Sequence, residues 1–267
     1  MRGRLYPEDP LSPTERDEHD EDLIAVSDRE LDLLGDIEGL DVLYAGGASL
    51  LWLEGLSLRA GKAGTVTALD SDGEKVERAE HLLEDADLEA PVRLVAGDVF
   101  DPPFAPHAFD LVYSAGLFHE LDVSKGTPAE ALAALVAPIR PAGRLATSDF
   151  VSTMPSVQLE DEALDRELAK ALSGSELYGI GTPERLVALH EALLENVVWA
   201  VSPPHAIRYL DKLVLAGQEP DGLQHLPPAT AENLRERRAA LLQRVLSEGY
   251  TRPATLYVEG RVSRFES

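Results

Sequence analysis

VLYAGGASL at residues 42–50, followed by TVTALDSD at 65–72, is the stretch whose reading decides the fold. An apolar run stops at Gly46 and Gly47, an amphipathic segment follows, and a second apolar run closes on an acid. That is the order of a nucleotide-binding strand–helix–strand unit. A parallel strand ending in glycines leaves backbone N–H groups at the start of the next helix. There the positive end of the helix dipole adds to them and holds a carboxylate or phosphate. Asp70 closes the second strand 24 positions after Gly46, close to the spacing at which a carboxylate accepts both hydroxyls of a ribose. A nucleoside is the expected ligand.

Outward from this unit, strand-like runs at 41–45, 65–69, 92–96, 109–114 and 143–150 alternate with helical patterns near 50–58, 74–83 and 128–136. Such a rhythm predicts a mostly parallel sheet with helices on both faces. The second half changes character. Residues 158–172 and 183–195 read as helices, the latter opened by Thr182-Pro183; VVWAV at 197–201 reads as a sixth strand and ATLYVEGRV at 254–262 as a seventh, with helical patterns at 205–216 and 229–248 between them. Before the first strand, 23–34 has helical spacing, with Ser27 as N-cap and Glu30 as its box partner. Residues 1–22, rich in Pro, Asp and Glu, read as an acidic tail or strap. The domain then spans 23–267, with helical elaborations at about 152–180 and 203–250 that could form a lid, pack as ordinary core helices or meet a second subunit.

The composition narrows the partners. With 48 acidic against 24 basic residues, a net charge of −24, the surface repels nucleic acid and anionic headgroups. Only five of the basic residues are lysines, a bias that fits a solubility-favouring surface, adaptation to salt or a taste for cationic ligands. Without cysteine there are no disulfides, thiolate metal sites or cysteine nucleophiles, and no His or acid spacing suggests a metal site. No long apolar run or signal-like segment appears, so a cytoplasmic protein without membrane contact is expected, with a homodimer as an open option.

The motifs together resemble the S-adenosylmethionine-dependent methyltransferases with a Rossmann-like fold, especially the branch acting on small molecules and quinones. The resemblance covers about residues 38–201. VLYAGGASL falls at that family's glycine-rich loop, GKAGTVTALDSD (61–72) at the strand with the ribose acid, and VAGDVFDPPF (95–104) at the adenine-reading segment. FDLVYSAGLFHEL (109–121) falls at the fourth-strand motif, PIRPAGRLATSDF (138–150) at the fifth, and LLENVVWAV (193–201) at the entry to the sixth. The chain departs from the pattern at Tyr44, where the family has an acid, and at Ala48 and Leu50, where it has glycines.

By this resemblance the cofactor is S-adenosylmethionine, its product S-adenosylhomocysteine. Gly46, Gly47 and Ala48 would hold the methionine end, Asp70 and Ser71 the ribose, Asp98 and Val99 the adenine, and Ser114 the methionine side through its backbone. His119, just past the fourth strand, would orient or deprotonate a small-molecule acceptor, with Glu120 as the alternative base. Each residue also has a plainer reading. Gly46 and Gly47 could form a tight turn without a ligand, and Asp70 and Asp98 could be turn formers. Tyr44 could be an ordinary strand residue or use its hydroxyl where the acid is missing. His119 could cap the strand end, His190 reads as a half-buried helix residue, and His205 and His225 flank the inserted segment. The expected activity is methyl transfer to oxygen, nitrogen or carbon. The alternatives are a non-catalytic scaffold with a decayed loop and, lower, a nicotinamide oxidoreductase, which the loop's missing glycines disfavour.

Overall fold

The computed structural model describes residues 10–84, 86–217 and 222–263. Seven strands form one sheet: β1 Asp41–Ala45, β2 Thr65–Asp70, β3 Val92–Ala96, β4 Phe109–Ala115, β5 Ile139–Phe150, β6 Glu195–Ser202 and β7 Thr255–Arg261. Eight α-helices are described: α1 Pro13–Asp32, α2 Leu50–Ala60, α3 Gly73–Leu83, α4 Pro128–Val136, α5 Ser156–Ser173, α6 Pro183–Glu191, α7 Leu210–Ala216 and α8 Pro228–Glu248. The strand order is β3-β2-β1-β4-β5-β7-β6, with only β7 running antiparallel to its neighbours. This is the expected seven-stranded, mostly parallel α/β sheet. The crossover direction reverses between β1 and β4, so the loops after these two strands flank the crevice where open sheets of this kind bind ligands.

Alternation along the strands builds a core on each face. Val42 and Tyr44 of β1, with Leu111 and Tyr113 of β4, pack beneath Leu31 and Leu34 and the α2 leucines Leu53 and Leu56. Leu43, Val112 and Leu145 point the other way, toward Leu132 and Leu135 of α4 and Leu186 of α6. Val157 and Leu164 of α5 instead form a separate cluster with Leu234, Leu241 and Val245 of α8. The helical elaboration therefore has its own small core, pinned by Tyr250 and Arg238, which both bond the Asp161 carboxylate.

The N-terminal reading needs correction. α1 begins at Pro13, capped by Ser12 in a box with Glu15, whereas Ser27 lies within the helix and donates to the Ile24 carbonyl at 2.9 Å. Of the segment read as a tail, residues 13–22 are thus helical and residues 1–9 lie outside the described residues. The acids of these first turns meet cations from a distant segment: Asp22 pairs with Arg208, Glu15 with Lys212, and Glu18 accepts from the Tyr209 hydroxyl. Two other helices are shorter than their patterns. α6 stops at Glu191 because β6 already starts at Glu195, and α7 starts at Leu210, after Tyr209 takes a left-handed conformation.

Farther along α1, Glu30 is buried against Arg252 at 2.5 Å, and its second oxygen has no hydrogen-bond partner. Burial outweighs the arginine and raises the Glu30 carboxyl above its ordinary range. Arg252→Met therefore leaves an uncompensated buried acid, expected to cost roughly 3 kcal/mol at pH 8. At pH 5 the raised carboxyl takes up a proton in the folded state and the penalty shrinks. Urea unfolding at the two pH values checks this; equal losses would contradict it.

Candidate active site

Both turns at the crevice are built from residues with little freedom. Gly46 has φ +80°, in the left-handed region, and a Cβ there would lie 2.4 Å from Leu117 Cδ1. A Cβ on Gly47 would lie 2.7 Å from the Tyr44 hydroxyl oxygen. Tyr44 is fully buried, with its ring stacked on Tyr113 at 6.1 Å. It is a strand residue whose hydroxyl underlies the loop. The two glycine N–H groups are not free as the sequence suggested, because both donate to the Leu69 carbonyl, at 2.8 and 3.1 Å. Those bonds tie the loop to the end of β2. The start of α2 beyond Ser49 carries no side-chain cap, and Ala48 sits half-buried between the turn and this helix end.

Asp70 is buried at the end of β2, where its Oδ1 accepts from the Asp72 N–H at 2.9 Å. The carboxylate is thus a turn former as well as a candidate ribose acceptor, while Ser71 beside it is exposed. Asp98 accepts from the Phe100 N–H at 3.1 Å and pairs with Lys125 at 3.1 Å. Burial pushes its carboxyl up, but the amide and the ammonium outweigh it and hold it below the usual range. Lys125, from the loop before α4, escaped the sequence reading. Val99 is buried next to Asp98, and Ser114, near the end of β4, is buried with its hydroxyl unpartnered.

The loop after β4 carries the strongest constellation. His119 Nδ1 lies 2.8 Å from Oδ1 of Asp149, which stands near the end of β5. The carboxylate also accepts from the N–H groups of Phe118, His119 and Phe150, at 2.5, 3.4 and 2.8 Å. Asp149 is 2% exposed and His119 9%. Burial pulls the imidazole pKa down, yet the hydrogen bond and charge of Asp149 push it up further, and the net shift is upward. With Nδ1–H bonded to the carboxylate, neutral His119 keeps its lone pair on Nε2, which makes no hydrogen bond among the described residues and lies 3.8 Å from Glu120. A shallow, open cleft adjoins this pair, lined by Phe150, Tyr178 and Arg185 among others. Asp149 was missed in the sequence. Its signal was an acid closing TSDF on the strand paired with β4, where Ser148 stands opposite Ala115.

The remaining histidines fall elsewhere. His190 is completely buried rather than half-buried, between the Leu186 carbonyl and the Thr147 hydroxyl, and burial pulls it down to about 4. His205 pairs through its backbone with Arg252, and His225 is exposed beside Gln224. No described helix is long and apolar enough to cross a membrane, and among the described residues no group of three His or acids is placed to hold a metal.

A buried acid at the end of β2, a strained glycine turn after β1, a second acid after β3 and an orphaned serine hydroxyl on β4 suit a nucleoside with an amino-acid tail. Comparison with known proteins agrees in kind. A family model described as a methyltransferase domain matches residues 40–147. No curated protein gives a significant match. A cyclopropane-fatty-acyl-phospholipid synthase-like protein from Lactobacillus casei superposes with a TM-score of 0.66 at 17% identity, covering 93% of each chain. An S-adenosylmethionine-dependent methyltransferase from Aquifex aeolicus gives 0.51 at 20% identity over 75% of this chain and 94% of its own. A phosphoethanolamine N-methyltransferase from Haemonchus contortus, solved with phosphomonomethylethanolamine and S-adenosylhomocysteine, gives 0.55 at 12% over 90% of this chain and 53% of its own. Identities this low establish a shared fold.

Proposed function

Because residues 40–147 form a methyltransferase domain of the Rossmann-like class whose cofactor is S-adenosylmethionine, we propose that this chain methylates a small-molecule acceptor at oxygen, nitrogen or carbon. The observation that carries the reading is the His119–Asp149 pair, which joins the loop after β4 to the end of β5 at the same carboxyl-terminal end of the parallel strands as the Gly46 turn and Asp70. In this reading Asp70 and Ser71 take the ribose, Asp98 and Val99 the adenine. The turn at Gly46, Gly47 and Ala48, with the backbone of Ser114, takes the methionine end. Bound there, the cofactor supplies an electrophilic methyl group whose leaving sulfur departs neutral, so alignment of the acceptor matters more than acid catalysis.

His119 does two things for that acceptor. Its Nε2 accepts a proton from an acceptor atom that must lose one, and Asp149 stabilises the imidazolium so formed. Its ring, packed on Phe150 at 4.8 Å, also forms a fixed wall against which the acceptor can be aligned. Proton acceptance needs neutral His119, so activity should rise with pH through a pKa above the ordinary 6.5.

Calorimetric titration with S-adenosylmethionine and S-adenosylhomocysteine, at low and high salt, tests the reading. Micromolar binding is the expected result. A folded protein that binds neither would favour the scaffold alternative, which the commitment of both glycine N–H groups to Leu69 and the packing of Leu117 on Gly46 would then explain.

A further inference from the structure

The two edges of the sheet differ in character. At one side β3 carries the exposed Arg93 in its middle, a charge of the kind that keeps an edge from pairing further. At the other side β6 pairs with β7 alone and has no charge in its middle. Between Glu191 and His205 the single charged residue is Glu195, in a chain where 27% of residues are charged. Among the described residues nine large hydrophobic side chains are exposed, and four of them, Leu193, Val198, Trp199 and Val201, fall in this stretch. Val198 is 59% exposed and Trp199 53%. A long apolar edge without such a guard is a template for another strand.

The geometry of the edge says where that strand would lie. Pairing of β6 with β7 is regular from Val198 to Ser202 and irregular before it, where Asn196 takes φ +55°. The regular part of the edge is therefore Val198–Ser202, with Ala200 at its centre. Val198, Ala200 and Ser202 stand opposite Glu259, Tyr257 and Thr255 of β7, whereas Trp199 and Val201 stand opposite Val258 and Leu256. The two sets thus lie on opposite faces of the sheet. A charged partner strand would meet no opposite charge along these residues, so the partner must be apolar and uncharged. Among the described residues the exposed strand of that kind is β6 itself.

We propose that two copies of this chain join edge to edge through β6, antiparallel about a two-fold axis at Ala200, so that one sheet runs across the dimer. Such an axis sets Ala200 against the second copy's Ala200, Trp199 against its Val201 and Val198 against its Ser202. The smallest side chain then stands at the axis, and each Trp199 lies beside a valine on the same face, an aromatic anchor near the centre of the contact. Charge decides for this surface. Over most of a protein of net charge −24 two copies repel, whereas this edge is uncharged and antiparallel pairing sends the two Glu195 side chains to its opposite ends. Salt screens the remaining repulsion, so association should strengthen as salt rises. The inference stands apart from the methyl-transfer reading and uses none of its residues.

Sedimentation velocity of the full chain from about 1 to 200 µM, at about 0.05 and 0.5 M salt, reads the association. A monomer–dimer equilibrium in the micromolar range is expected, tighter at the higher salt. It should weaken at least about tenfold in V198K/V201K, which places on this edge the lysines that blunt edges elsewhere. Both positions are exposed, so the variant should fold as the wild type does, which circular dichroism checks. The chain has no cysteine, so an introduced one reports the register. Directly opposed Cα atoms of an antiparallel pair lie about 4.5–5.5 Å apart, within disulfide reach, so mild oxidation should link A200C into a dimer. V198C, on the same face, would stand about 14 Å from its copy and should stay unlinked. A chain that remains monomeric throughout, a dimer that loosens with salt or is indifferent to V198K/V201K, cross-linking of V198C as ready as that of A200C, or open-ended aggregates in place of a closed pair would each overturn the inference.

Discussion

Asp149→Ala is expected to lower the unfolding free energy by about 3–5 kcal/mol, the cost of removing one partner from a buried charged network. Asp149 holds three backbone N–H groups and an imidazole while almost fully buried, and alanine leaves those donors facing a cavity too small to hydrate all of them. The loss should depend on pH with a definite sign. A histidine whose folded pKa is raised adds stability that is complete below the unfolded pKa and disappears as pH rises through the folded one. The deficit of the variant should therefore be larger at pH 6 than at pH 9. Urea unfolding at both pH values gives the magnitude. The milder Asp149→Asn, followed by titration of the His119 ring resonance, should show the imidazole pKa falling once its carboxylate is gone. An unchanged pKa would mean that the pair seen in the structure is not the one present in solution.

Asp70→Asn is expected to weaken S-adenosylhomocysteine binding by about 3 kcal/mol, roughly 10²-fold, through the loss of charge-assisted hydrogen bonds to the ribose. Asparagine can still accept from the Asp72 N–H, so the turn that opens α3 survives and the effect belongs to the ligand. Calorimetry with the product cofactor reads the affinity, and thermal unfolding without ligand serves as the control. If the affinity is unaltered while the wild type binds, Asp70 is a turn former and the ribose is held elsewhere.

The sheet was legible because its strands are apolar runs with a clear period, cut by Gly, Pro and Asp at their ends. Tyr44 shows how far such reading goes: its place on β1 was plain, whereas its position under Gly47 depends on the stacking with Tyr113 across β4. The first turns of α1 were illegible for a related reason. They are acidic throughout, and what orders them is a capping box plus cations nearly 200 positions away, so neither apolar periodicity nor local composition announced a helix. In the site, single residues such as Asp70, Asp98 and His119 could be picked out by position relative to strand ends. The partners that define their chemistry could not. Asp149 is 30 residues from His119 and Lys125 is 27 from Asp98, and only the pairing of β4 with β5 and the path of the loop before α4 bring them together.

The fastening of α1 also has a consequence for how the molecule is made. The helix is completed at residue 32, yet Arg208, Lys212 and Arg252, which meet the acids Asp22, Glu15 and Glu30, leave the ribosome roughly 180 to 220 residues later. The central strands β1 to β5 are by then already synthesised and can pair. The end of the helix can pack early on α2, where Arg59 pairs with Asp28 and Asp32, but its first turns are among the last parts to be secured, and Glu30 meets Arg252 only when the chain is almost finished. The acidic first turns of α1 therefore gain their counter-charges only near the end of synthesis, as long-range contacts of this kind do.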